Sequence, residues 1–259
     1  MNKNFDFKKS LGQNFLKDEN IIKKIVNEIT ATKDDLIIEI GPGAGAITKH
    51  LSALHTNVIC FEIDKRLKED LDKYKTDKLD IIYEDFLKID LKETLKKYNY
   101  KNITFIGNLP YYITTAIINK ITEKSNPKEI IIMIQKEVAE RFMAKPNTKE
   151  YSSISVFLQY NYDIKKVTLV SKECFIPKPK VDSMVIKLTK KTDSKVINKE
   201  QFYKLIKDSF TQKRKNLRNN LKNYDKEKLE KILKTLNKDL TFRAEQLSID
   251  DFIEISNNL

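Results

Sequence analysis

Between residues 103 and 115 the chain reads ITFIGNLPYYITT, an apolar run that ends in an amide, a proline and two phenols, Asn108-Leu109-Pro110-Tyr111-Tyr112. Gly107, Asn108 and Pro110 are ordinary strand-ending residues, and a turn accounts for them. At a ligand-facing edge the same residues suit another task. The Asn108 side-chain oxygen and the backbone carbonyls around Pro110 can accept hydrogen bonds from an exocyclic amine on a base. Tyr111 can stack on its ring.

A second chemical stretch is IIEIGPGAGAITKHL. Gly41-Pro42-Gly43-Ala44-Gly45-Ala46 satisfies G-x-G-x-x-G/A, and Glu62 follows Gly41 by 21 residues. Such glycines permit a tight strand-to-helix turn and close approach of a ligand, and the acid can accept both ribose hydroxyls. A nucleoside-containing cofactor is the expectation. NAD would set its pyrophosphate at the helix N-terminus, whereas S-adenosylmethionine carries no phosphate. Two residues favour the methyl donor. Glu39, polar on an apolar strand, can orient the loop, and Asp85 in IIYEDFLKID can accept the adenine amino group. Asp85 as a helix N-cap is the competing reading.

These groups need a frame. Apolar runs at 36–40, 58–63, 79–83, 103–106 and 130–134 read as strands, with helical patterns at 46–53, 66–73, 91–98 and 115–124 between them. That alternation predicts an α/β domain with a mostly parallel sheet. Ligands in open α/β sheets collect at the carboxyl edge, where both stretches fall. Runs 166–170 and 183–189, separated by FIPKPKV, predict an antiparallel edge. A polar linker at 190–199 precedes the end of the chain. Beyond it Phe202, Leu205, Ile206, Phe210, Leu217 and Leu221 predict one long amphipathic helix, and Leu229, Ile232, Leu233 and Leu236 another apolar face.

The 259 residues suffice for one large domain and a smaller one. At 40% apolar and 33% charged, with 5 Gly and 6 Pro, the composition is that of a folded, charge-rich soluble protein. A net charge of +12 suits a polyanionic partner, though a lysine-rich proteome would produce the same excess. Residues 190–259 hold 17 Lys and Arg against 11 Asp and Glu, about half of that charge. In TQKRKNLRNNLK, Arg214, Arg218 and Lys222 recur every four residues opposite Phe210, Leu217 and Leu221, so one face can dock while the other meets phosphates. A solvated charged face is the alternative. Cys60 and Cys174 form no C-x-x-C pair, and His50 and His55 are the only histidines. Neither a disulfide framework nor a metal site is expected. With no apolar leader and no run near 18 apolar residues, a cytoplasmic protein without a membrane span is expected.

The ordered motifs carry a resemblance. NLPY after the fourth strand looks like the N-[LIP]-P-[YF] motif of adenine-N6 methyltransferases. KKSLGQNFL (8–16), EIGPGAGAIT (39–48), QKEVAERF (135–142), FIPKPKVDS (175–183), QKRKNLRNNL (212–221) and RAEQLS (243–248) resemble the bacterial small-subunit (16S) rRNA adenine dimethyltransferases, within the rRNA adenine N6-methyltransferase family. The likeness implies a Rossmann-like class I S-adenosylmethionine-dependent methyltransferase domain over 1–190, with a mostly parallel seven-stranded sheet. It implies a small all-helical, basic rRNA-binding domain over 191–259. Asn14, Leu16, Gly41, Gly43, Glu62, Asp85 and Asn108 would contact S-adenosylmethionine. Asn108, Pro110 and Tyr111 would hold the target adenine, and Phe175 would stack on its other face. The implied partner is small-subunit rRNA in a pre-30S or 30S particle, met by a monomer. The family usually has Asn where this chain has Tyr112, which is given no catalytic role. Thr114 keeps a hydroxyl suited to capping the next helix.

Three rivals differ in testable ways. A large-subunit (23S) enzyme of the macrolide-resistance type would lack the 8–16 and 243–248 forms. A non-catalytic assembly factor on the same fold would not keep the glycine loop, Glu62, Asp85 and Asn108 to Tyr111 intact. An NAD-dependent oxidoreductase would need a hydride-site His or Ser-Tyr-Lys group, and none is evident.

Overall fold

The computed structural model describes residues 6–8, 11–192 and 195–259. Lys9 and Ser10 of the 8–16 motif, the N-terminal run before Asp6, and Asp193 and Ser194 of the expected linker lie outside the described residues. By internal contacts the chain divides into two compact units, one running to Ala139 with Lys165–Thr189, the other comprising Glu140–Ile164 and Lys190–Leu259. The boundary expected at 190/191 nearly coincides with the passage at 189/190. Glu140–Ile164, read from the sequence into the first domain, groups instead with the second, because Tyr151, Val156 and Tyr160 are buried in the helical core.

The elements run β1 (Phe15–Leu16), α1 (Glu19–Val26), β2 (Leu36–Ile40), α2 (Thr48–Leu51), β3 (Asn57–Phe61), α3 (Lys68–Asp72), β4 (Leu79–Ile82), α4 (Leu91–Leu95), β5 (Ile103–Asn108), α5 (Thr114–Lys124), β6 (Glu129–Gln135), α6 (Lys136–Phe142), α7 (Ser153–Asn161), β7 (Tyr162–Val170), β8 (Phe175–Ile176) and β9 (Ser183–Lys190). Seven strands form one sheet in the order β4-β3-β2-β5-β6-β9-β7. The pairs β2–β3, β2–β5, β3–β4 and β5–β6 are parallel, and β9 lies antiparallel to β6. The two runs expected at the edge lie side by side there as β9 and β7, and the antiparallel pairing is that of β9 with β6. β2 (LIIEI) is buried throughout and β6 (EIIIMIQ) nearly so, as strands covered on both faces must be. Each fully buried aliphatic side chain there contributes roughly 1.5–3 kcal/mol.

Chain order reverses direction between β2 and β5: β3 and β4 follow β2 to one side, while β6 lies beyond β5 on the other. Such a reversal opens a crevice beyond the carboxyl ends of the two strands. The glycine loop leaves β2 there and Asn108-Leu109-Pro110-Tyr111 leaves β5. Gly107 makes the juxtaposition close, since a Cβ on it would stand 2.4 Å from the Ile40 carbonyl oxygen. Any larger residue would force β5 away from β2.

The second unit continues with α8 (Lys199–Ser209), α9 (Leu217–Asn220), α10 (Lys226–Thr235) and α11 (Ile249–Asn258). Phe202, Leu205, Leu217, Leu233 and Phe252 are buried in its core, with the Tyr160 and Phe202 rings 4.5 Å apart. The single long helix expected from Phe202 to Leu221 is instead broken. α8 ends at Ser209, and Asn216 starts α9 by accepting from the Asn219 N–H. Asn220 Nδ2 takes the Ser209 and Gln212 carbonyls (2.7 and 3.2 Å), tying down the intervening turn. Asn side chains compete in this way for backbone groups that a continuous helix would use. Among the described residues no helix is long and apolar enough to cross a membrane, and no group of three or more His, Cys, Asp or Glu could hold a metal ion. Both cysteines are free thiols.

Candidate active site

A cavity of about 220 Å³ opens at the carboxyl ends of β2, β3 and β5. Asn14, Gly41, Gly43, Glu62, Asp85, Asn108, Pro110 and Tyr111 all line it. Eight sequence-predicted residues thus meet around one space.

The glycine loop is shaped from beneath and above. Gly43 has φ +57°, and a Cβ on it would lie 2.9 Å from the Phe15 ring. Its N–H donates to Glu62 Oε2 at 3.0 Å, and the Asp64 N–H donates to Glu62 Oε1 at 2.8 Å. Glu62, 5% exposed, is therefore fixed by two backbone donors while still facing the cavity. Burial pushes its carboxyl above the usual range, and those donors oppose the rise. Glu39, 1% exposed, sits below the loop. It accepts from Thr48 Oγ1 at 2.7 Å and from Cys60 Sγ at 3.3 Å, so it pins the first residue of α2 to β2. Burial pushes Glu39 up to about 7.

Asp85 follows β4. Its Oδ1 accepts from the Leu87 N–H at 2.9 Å, closing a turn, while α4 is capped by Asp90. Asp85 therefore caps a turn rather than a helix, and still lines the cavity. Phe61, Phe86 and Phe105 form an edge-to-face series with centroids 5.5 and 6.3 Å apart, two of whose rings reach the cavity wall.

The segment from Leu11 to Phe15 crosses the site as a strap. Gln13 Nε2 donates to Asp64 Oδ2 at 2.7 Å, and Arg66 grips the same carboxylate through Nε and an Nη, the latter at 2.6 Å. The Arg66 guanidinium, with Gln13, holds the Asp64 carboxyl at about 2. The sequence reading missed Gln13, Asp64 and Arg66 as partners. Gln13 lies inside the quoted 8–16 motif, but nothing in spacing links it to Asp64, 51 positions away.

Asn108 Nδ2 donates to the Asn14 backbone carbonyl at 2.8 Å, which fixes the direction of its amide. No described residue donates to its Oδ1. The Leu109 N–H is used by Met133 O at 3.1 Å. The Pro110 carbonyl accepts from the Ile113 N–H (3.3 Å) and Thr114 Oγ1 (3.1 Å). Thr114 is thus the first residue of α5 and donates backwards, instead of accepting from helix N–H groups as a cap would. Among the described residues none donates to the Leu109 carbonyl, so Asn108 Oδ1 and Leu109 O are the acceptors left open. The Tyr111 and Ser183 hydroxyls share a hydrogen bond at 2.7 Å, and burial pushes the phenol up.

Leu16 and Phe175 do not line the cavity. They face each other in the β1–β8 ladder, and Phe175 is 2% exposed within the first unit's core. Arg214, Arg218 and Lys222 lie in the second unit, all exposed: Arg214 in the turn after α8, Arg218 in α9, Lys222 in the turn beyond. The fourfold spacing therefore does not mark one continuous helical face.

Comparison with known proteins bears on what such a cavity belongs to. The family described as "Ribosomal RNA adenine dimethylase" matches residues 4–259. A "Ribosomal RNA small subunit methyltransferase A" from Bacillus pumilus is 44% identical, over 98% of this chain and 92% of that protein. A protein of the same name from Clostridium botulinum is 43% identical, over 97% of this chain and 94% of that protein. The crystal structure of a dimethyladenosine transferase from Plasmodium falciparum aligns with a TM-score of 0.75 at 28% identity, covering 93% of this chain and 95% of that one. That of 23S rRNA methyltransferase ErmE shares the fold, with a TM-score of 0.73 at 23% identity over 95% and 99% of the two chains. A mostly parallel sheet with one antiparallel insertion is the Rossmann-like methyltransferase fold of these neighbours. By a match that runs nearly from end to end, the chain belongs to the ribosomal RNA adenine dimethylase family.

Proposed function

We propose that the protein transfers methyl groups from S-adenosylmethionine to N6 of two adjacent adenosines in the 3′-terminal hairpin loop of small-subunit (16S) rRNA, giving N6,N6-dimethyladenosine. It does so as a cytoplasmic monomer on a pre-30S or 30S particle, with a role in small-subunit biogenesis. The observation that carries this reading is the pair of open acceptors at the end of β5, Asn108 Oδ1 and Leu109 O, beside the glycine loop.

The residues present fit the cofactor. Gly41 and Gly43 line the cavity without side chains, buried Glu62 would offer its carboxylate to a ribose, and Asp85, lining the same cavity, would accept an adenine amino group. When bound, S-adenosylmethionine supplies an electrophilic methyl group on a sulfonium. The chain's own task is to make adenine N6 nucleophilic. Its lone pair is delocalised into the ring, and Asn108 Oδ1 with Leu109 O would draw on the two N–H bonds, localising it. No strong base is needed beforehand, because attack itself acidifies the amine: the methyl would leave its bonding pair on sulfur as a neutral thioether, and the proton shed by N6 would pass to water. Orientation of this kind can supply roughly 7–11 kcal/mol of a barrier. Tyr111, held by Ser183, would stack on the extruded base and offset about 1–3 kcal/mol of lost stacking. Phe175 would take the other face once its ring is uncovered. Arg214, Arg218 and Lys222 would meet rRNA phosphates.

The test offers the protein labelled S-adenosylmethionine with under-methylated small and large ribosomal subunits, then maps the label. Label on two adjacent adenosines of the small subunit's 3′ hairpin is expected. Label on the large subunit, or on neither, overturns the proposal.

A further inference from the structure

Tyr112 replaces the amide usual in the family, and its surroundings suggest a task. Among the described residues it is one of five exposed large apolar side chains, and with Ile63 one of two that line the cavity. It is 62% exposed. One edge of its ring is braced by the strap: a Cβ placed on Gly12 would lie 3.1 Å from a Tyr112 ring carbon, tighter than side chains usually pack, so the ring fits closely only over a glycine. No described residue hydrogen-bonds its hydroxyl. An isolated exposed aromatic needs no explanation, but this one directly follows Tyr111 at the cavity mouth, with backing on one side and solvent on the other. A ring held in place gives up little conformational freedom when something stacks on it.

We infer that Tyr112 is an RNA-binding platform that stacks the purine next to the adenosine held in the cavity. The inference rests on the adenine-methylating reading above. Extruding one of two adjacent adenosines strips its neighbour of a stacking partner. The open Tyr112 ring, one residue from the cavity's own aromatic, is placed to replace that partner. Asn, as in the family's usual sequence, has no such surface. This chain therefore holds its substrate by an additional aromatic contact at the mouth.

The test compares wild type with Tyr112→Phe and Tyr112→Asn on under-methylated small subunits, alongside calorimetric affinity for S-adenosylmethionine and melting temperature. Tyr112→Phe should match wild type. Tyr112→Asn should raise the half-saturating subunit concentration roughly ten-fold, with cofactor affinity and melting temperature unchanged. An unchanged half-saturating concentration overturns the inference. So does a parallel loss of cofactor affinity, which would make Tyr112 only a brace for the strap. Asn108→Ala, assayed in parallel, separates the two levels: if it stays active the base-gripping reading fails, whatever Tyr112 does.

Discussion

The Asn108 side chain is oriented by the backbone of Asn14, through a 2.8 Å hydrogen bond between residues 94 positions apart. The strap thus does more than cover the site. By taking the amide N–H, it turns Oδ1 away from itself and leaves it as an acceptor. Asn108→Ala removes both acceptor and anchor, and should lower methyl transfer by about 10²–10³ in kcat or more, the scale of losing one oriented polar group in an active site. Subunit binding should change little. Single-turnover transfer and filter binding would check the two halves, and near wild-type transfer would sink the role given to Asn108.

Glu62 spends one contact on the Gly43 N–H and another on the Asp64 N–H, so it ties the glycine loop to the end of β3. Glu62→Gln keeps one acceptor oxygen and loses the charge. Hydrogen bonds to charged groups contribute about 1.5–3 kcal/mol, so cofactor affinity should fall roughly ten- to hundred-fold. Calorimetric titration with S-adenosylmethionine reads this directly, and an unchanged Kd would remove Glu62 from the ribose site.

Phe175 is buried, so truncation has a structural cost. Phe175→Ala should destabilise by about 3–5 kcal/mol. Phe175→Leu keeps most of the volume and should cost less than about 1.5 kcal/mol. It still removes the flat ring, and a roughly ten-fold loss in subunit methylation is expected if Phe175 meets the base. Full activity in the Leu variant would assign this residue to the core alone.

What was legible in the sequence was local. The five parallel-type strands announced themselves as apolar runs, and Gly41, Gly43, Glu62, Asp85 and Asn108 sat at the ends of those runs, where chemistry collects. The parts that escaped depend on contacts between distant segments. Leu16 and Phe175 look alike from the sequence whether they face a ligand or each other, and only the β1–β8 register decides. Asn216 and Asn220 read as polar positions on a helix, yet their side chains break it. The Gln13–Asp64–Arg66 network has no periodicity at all, and Pro110 could be ruled out as a free acceptor only once Thr114 was seen to bond it.

Arg214, Arg218 and Lys222 are exposed, and among the described residues the one ion pair any of them makes is Arg218 with Glu230 at 4.0 Å, a distance that gives little stabilisation. Replacing all three with Gln should leave the melting temperature nearly unchanged. If each meets a phosphate, the plot of log affinity against log salt should flatten by about 2 units, at roughly 0.7 per single-strand contact. An unchanged slope would make them a solvated surface.

Glu39 makes a pH prediction with a defined sign. Burial raises its carboxyl from 4.5 to about 7, with Glu62 nearby adding to the rise while Thr48 and Cys60 oppose it. The folded chain therefore holds this proton more tightly than the unfolded chain does. Below about pH 4.5 both states are protonated, and ionisation subtracts nothing from stability. As pH rises towards 7 the unfolded chain ionises first, so stability drains away. Above about 7 the folded state ionises as well and the loss is complete, at about 3 kcal/mol from 1.36 kcal/mol per unit. Glu39→Gln keeps an acceptor for Thr48 and carries no titrating proton. Its stability relative to wild type should therefore rise by about 3 kcal/mol between pH 4.5 and pH 8. Urea unfolding across that range measures the difference, and a flat difference would show that Glu39 ionises in the fold as freely as it does in the unfolded chain.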